Sequence, residues 1–141
     1  MFEHILVGFD GSEGGQHAAT IALDLASKYG STLYLLSVIE DLPRYAEESI
    51  DDVDEIVEQA TKHYQSHQVA VEQRAKELGV TLHCYIQPGH VVESIVQFAE
   101  ENKADLIVLG GLGHSTLLRR LSGSTGAQVA HYAPCDVLIA R

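Results

Sequence analysis

Apolar residues recur along the chain in two alternating rhythms: short unbroken runs, and longer stretches spaced by three and four. HILVGF (His4–Phe9) is a short run that stops at Asp10-Gly11-Ser12. EGGQHAATIALDLASKYG then places Ala18, Ile21, Ala22 and Leu25 at helical spacing, with Gly30 where a C-cap glycine belongs. TLYLLSVI (Thr32–Ile39) is a second apolar run, and the polar segment after it, with Pro43, reads as an irregular connection. From about Asp52 to Leu78 a long helical pattern runs through Val53, Ile56, Val57, Ala60, Tyr64, Val71 and Ala75, closed by Gly79. VTLHCYIQ (Val80–Gln87) alternates, as a half-buried or edge strand does. A helix follows through Val91, Val92, Ile95, Val96, Phe98 and Ala99; then come the apolar ADLIVLG (Ala104–Gly110), a glycine-rich stretch, a helix from about Ser124 and a last strand CDVLIA (Cys135–Ala140).

The order β-α-β-α-β-α-β-α-β predicts an α/β fold, a parallel sheet with helices on both faces. The unbroken apolar runs of the first, second and fourth strands suit interior positions covered on both sides. With no linker, repeat or low-complexity tract, residues 1–141 read as a single domain.

Composition narrows the function classes. Hydrophobic residues make up 45% and charged residues 21% of the 141, enough to fill one core. The formal net charge of −11 argues against nucleic acid as a partner and against an anionic membrane surface. No apolar run approaches the roughly 18 residues of a membrane span, and the start MFEHILVGFDGS lacks the basic region of a signal peptide. Two cysteines, Cys84 and Cys135, with no pairing motif fit a reducing compartment, so the expected location is cytoplasmic.

In open parallel sheets, ligands bind beyond the carboxyl ends of the strands, where the strand order reverses. The loop Asp10-Gly11-Ser12, the region after Val38 and the glycine-rich loop after Leu109 all leave such ends, and the crevice between the first and fourth strands is the natural pocket. In LIVLGGLGHSTLLRRLSGSTGAQVAH, the glycines Gly110, Gly111, Gly113 and Gly123 allow close approach of a ligand to backbone amides. Ser124 and Thr125 fall at a helix start, where unpaired amides and the dipole favour an anion. The ensemble describes a phosphate cradle. Neither G-x-x-x-x-G-K-[ST] nor G-x-G-x-x-G is present. What is present is Gly110-x-x-Gly113, nine residues, then Gly123-Ser124.

That spacing resembles the universal stress protein family in its nucleotide-binding form. The flanks resemble it too: ILVGFDGSEGG, LYLLSVIE, ADLIVLGGLG and APCDVLIAR, together spanning the whole chain. The resemblance implies an open, doubly wound, Rossmann-like five-stranded sheet of order 3-2-1-4-5. It also implies an ATP-binding stress-response regulator or sensor that takes ATP or a related adenine nucleotide (ADP or AMP), with Mg²⁺ accompanying a triphosphate. Asp10, with Gly11 and Ser12 in its loop, would sit by the ribose, the phosphates or the metal. The backbone of Val38 would meet the adenine edge. Gly110, Gly111, Gly113, Gly123, Ser124 and Thr125 would hold ribose and phosphates. His114, inside the loop, reads equally as a phosphate contact or as an exposed loop residue. Leu112 and Gly126 depart from the family's polar or hydroxyl residues, which implies one donor fewer for the terminal phosphates. The last strand would be an edge that pairs with its copy through Val137, Leu138 and Ile139, making a homodimer, and Cys84 and Cys135 would lie on opposite edges.

Other features have plainer readings. His63 and His67 share a helix face but lack a third ligand, and read as a solvated or packed pair. Arg119 and Arg120 steer phosphates or are simply solvated. No nucleophile motif occurs, and no catalytic base stands out beyond Asp10. Two alternatives therefore remain: a slow Mg-dependent ATP hydrolase, and a dimeric adaptor whose loop no longer takes nucleotide.

Overall fold

The structure, a computed structural model, describes residues 1–40, 50–111 and 125–141. Its elements are β1 (His4–Gly8), α1 (Glu13–Tyr29), β2 (Thr32–Ile39), α2 (Ile50–Leu78), β3 (Thr81–Pro88), α3 (Val91–Glu101), β4 (Leu106–Gly110), α4 (Thr125–Tyr132) and β5 (Asp136–Ala140). The strands form one sheet of order β3-β2-β1-β4-β5, all neighbours parallel, as the resemblance implies. Element boundaries shift from the sequence reading by one or two residues. The fourth strand, for example, begins at Leu106 because the Ala104 N–H turns back to the Ala99 carbonyl at 2.9 Å and closes α3.

The strands whose apolar runs are unbroken lie inside. Ile5, Leu6 and Val7 of β1 and Ile107 and Val108 of β4 are fully buried. Two cores fill the two faces. One gathers Ile5, Val7, Leu33, Leu35 and Val108 against Ala18, Ala22, Val71 and Ala75 of α1 and α2. The other gathers Leu6, Leu36, Val38, Ile107 and Leu109 against Ile95, Phe98 and Val129 of α3 and α4. Helix α1 presents Gly15, Ala18, Ala19, Ala22 and Ala26, a small-residue face that lets its axis lie close to the strands. Ser12 caps it at one end and Gly30, at φ 67°, at the other.

The two edges differ. In β3, Thr81, His83 and Tyr85 are exposed while Leu82 and Cys84 pack on the α1–α2 core, the alternation expected of an edge strand. In β5, Val137 packs on one core and Leu138 on the other, and Ile139 is exposed. Cys84 and Cys135 are both free and sit near opposite edges.

Candidate functional site

The carboxyl end of β1 is built by short-range hydrogen bonds. Asp10 Oδ1 accepts the Ser12 N–H at 2.9 Å, and Ser12 Oγ accepts the Gly15 N–H at 3.1 Å. These bonds turn the chain out of the strand and start α1, so its first N–H groups face the sheet's upper end. Gly11 takes φ +82°, which a side chain would resist. Behind the loop, Ser37 Oγ donates to the Phe9 carbonyl at 2.6 Å and accepts from Gln68 Nε2 at 3.0 Å. Gln68, on α2 and almost fully buried, also reaches the Tyr85 carbonyl at 3.4 Å. One buried polar chain thus ties β1, β2, β3 and α2 together directly below Asp10.

On the far side of the crevice, the glycines at the end of β4 have packing reasons of their own. A Cβ on Gly110 would lie 2.6 Å from the Gly14 carbonyl carbon and oxygen, and one on Gly111 would lie 2.6 Å from the Ala140 carbonyl oxygen. The first turn of α1 therefore rests on the end of β4, and the Gly111 N–H bonds the Ala140 carbonyl. Neither glycine has positive φ. In α4, a Cβ on Gly126 would meet the Ile139 side chain, its Cδ1 at 2.7 Å.

Between these loops lies a cleft of about 1120 Å³ over the β1–β4 switch point. Asp10 and Ser12 line it from β1, Gly110 and Gly111 from β4, and Thr125 and Gly126 from the start of α4. Leu36 and Val38 of β2, with Val91 and Ile95 of α3, supply an apolar wall. Glu40 lines it as well, and its Oε1 accepts the Val91 N–H at 2.8 Å, capping α3 in place of a side chain from His90. Arg141 borders the cleft beside Gly111.

Of the site residues read from sequence, Asp10, Ser12, Val38, Gly110, Gly111 and Thr125 come together around this cleft, whereas Gly11 does not line it and lies against the ring of His67. Gly113, His114, Gly123 and Ser124, with Leu112, Arg119 and Arg120, lie outside the described residues. His63 and His67 form a ring pair with centroids 4.7 Å apart. Among the described residues no group of three or more His, Cys, Asp or Glu gathers in a metal-holding arrangement.

Sequence reasoning missed Gly14, Glu40, Tyr64 and Arg141. Glu40 was within reach, since it follows a strand end, and so was Gly14, in the turn after Ser12. Tyr64 was not, because in sequence it is one apolar-face residue of a long helix. Here it lines the cleft, half-buried. Its phenol is pushed above its ordinary value of 10.0, first by burial and then by the carboxylates of Asp10 and Glu40.

The comparisons with known proteins agree with this geometry. The universal stress protein family model matches residues 1–141. A universal stress protein of Thermus aquaticus is 33% identical over 143 residues, the match covering 100% of both chains. The universal stress protein UspA from Lactobacillus plantarum has a TM-score of 0.83 at 28% identity, covering 99% of this chain and 97% of that one. A universal stress protein solved in complex with cAMP has a TM-score of 0.79 at 29% identity, with the same coverages. The family model matches the full sequence and the solved relatives share the fold: the chain belongs to the universal stress protein family.

Proposed function

We propose that this chain is an adenine-nucleotide-binding regulator that takes ATP in the cleft over β1 and β4 and works as a homodimer in the stress response. The observation that carries the reading is the cleft itself. It lies at the switch point, is bounded by the starts of α1 and α4, has an apolar wall at β2, and is large enough for a nucleotide. The relative solved with cAMP supports an adenine ligand. In this reading the base lies by Val38 and the phosphates lie toward Thr125, Arg141 and the loop that holds Gly113, Gly123 and Ser124. Helix N-termini and one arginine supply a local positive field despite the net charge of −11.

Magnesium would enter with the triphosphate. Phosphate oxygens and water would hold it. Titration calorimetry with ATP, ADP, AMP and cAMP tests the proposal. Saturable binding of at least one, weakened by Gly113→Ala or Gly123→Val without loss of fold, is the expected result. Absence of heat with all four at millimolar concentration would leave the adaptor reading. Metal-dependent phosphate release that vanishes in Asp10→Asn would move the protein to the hydrolases.

A further inference from the structure

Within the adenine-nucleotide reading, on which this rests, we propose that Tyr64 of α2 contacts the base and closes the cleft opposite Val38, making a helix outside the glycine loops part of the specificity surface. The apolar wall at β2, formed by Leu36, Val38, Val91 and Ile95, gives a flat base one face to lie on. Among the described residues Phe9, His17 and Tyr64 carry the rings that line the cleft; Phe9 is buried in the α1–α2 core and His17 stands on α1. Tyr64 is thus the ring that α2 offers to a ligand.

Its position is held from below. One turn on, the His67 ring lies against Gly11, where a Cβ would come within 2.7 Å of it. The next residue, Gln68, is anchored to Ser37 and Tyr85. Neither Tyr64 nor the Asp10 loop can shift far without the other, so the ring is in place before the ligand arrives and little ordering accompanies binding.

The charges say which part of a nucleotide belongs here. Asp10 and Glu40 both act on the Tyr64 hydroxyl, and a carboxylate can only accept hydrogen bonds. That corner favours an exocyclic amine or a ribose hydroxyl and repels phosphate. The phosphates are directed instead toward Arg141 and the start of α4, which also line the cleft. The contact therefore belongs to the base and sugar, and its contribution is the same whatever the phosphate count.

The test is calorimetric titration of wild type, Tyr64→Phe, Tyr64→Leu and Tyr64→Ala with ATP, ADP and AMP, each variant first checked for fold by circular dichroism. Loss of a stacked ring weakens binding on the order of tenfold. Tyr64→Ala is expected to weaken all three nucleotides by one common factor of that size. Tyr64→Phe is expected to stay within about threefold of wild type, and Tyr64→Leu, which keeps bulk without the π-face, to fall between. Wild-type affinity in the folded Tyr64→Ala or Tyr64→Leu protein would overturn the proposal while leaving nucleotide binding intact. So would a loss that grows with phosphate number. A wild-type protein that binds none of the three would overturn the nucleotide reading, and this proposal with it.

Discussion

Gly110 and Gly126 pose the same steric question and have opposite answers. A Cβ on Gly110 would press on backbone atoms of Gly14, which belong to the first turn of α1 and cannot rotate away. Gly110→Ala is expected to destabilise by about 1–3 kcal/mol, read as a lower urea midpoint with unchanged slope. A Cβ on Gly126 would press only on the tip of the exposed Ile139, which another rotamer relieves, while alanine favours the helix by up to about 1 kcal/mol. Gly126→Ala should therefore leave the midpoint unchanged or raise it. The cysteines make a different kind of prediction. Burial, helped by the carboxylate of Glu72, pushes the Cys84 thiol up to about 12, against 9.0 ordinarily. The unfolded chain ionises this thiol near 9.0 and the folded chain does not, so its contribution to stability is intact below that pH and is lost as pH rises toward 12. Thermal midpoints taken from pH 8 to 11 in reductant should fall less steeply in Cys84→Val than in wild type.

Helix α2 joins the sheet to the cleft through Ser37 and Gln68, a pair of almost fully buried polar side chains. Ser37→Ala removes the donor to the Phe9 carbonyl and leaves Gln68 Nε2 with the longer bond to Tyr85. A cost of about 1–3 kcal/mol is expected. Amide exchange should also quicken in the Asp10 loop, and unchanged exchange there would disconnect the loop from α2. This chain of bonds shows where sequence reading stops. The strands and helices were legible because their apolar spacing is dictated by one-sided or two-sided burial, and the interior strands declared themselves by unbroken runs such as LIVLG. The loops at strand ends were legible because Asp-Gly-Ser and paired glycines have few structural uses. What Gly110 and Gly111 accommodate was not, because their neighbours, Gly14 and Ala140, are far away in sequence. Tyr64 was hidden for the same reason: its role depends on how α2 lies across the ends of β1 and β2.

Among the described residues strand β5 is one edge of the sheet, with Val137, Leu138 and the exposed Ile139 along it. If copies of the chain meet there, Val137→Lys or Ile139→Lys should shift the light-scattering mass toward the 15.3 kDa of one chain. An unchanged mass would place any association elsewhere. The other edge is unlike it: β3 alternates exposed Thr81, His83 and Tyr85 with half-buried neighbours and ends at Pro88, which has no N–H to offer. Pairing of β5 with another β5 closes on a twofold axis, whereas β5 against β3 would leave a fresh edge at each end and add chains without limit. Were copies to pair through β5, two edges so mismatched would deny a growing filament its second handhold, and sheet extension would stop after a single step.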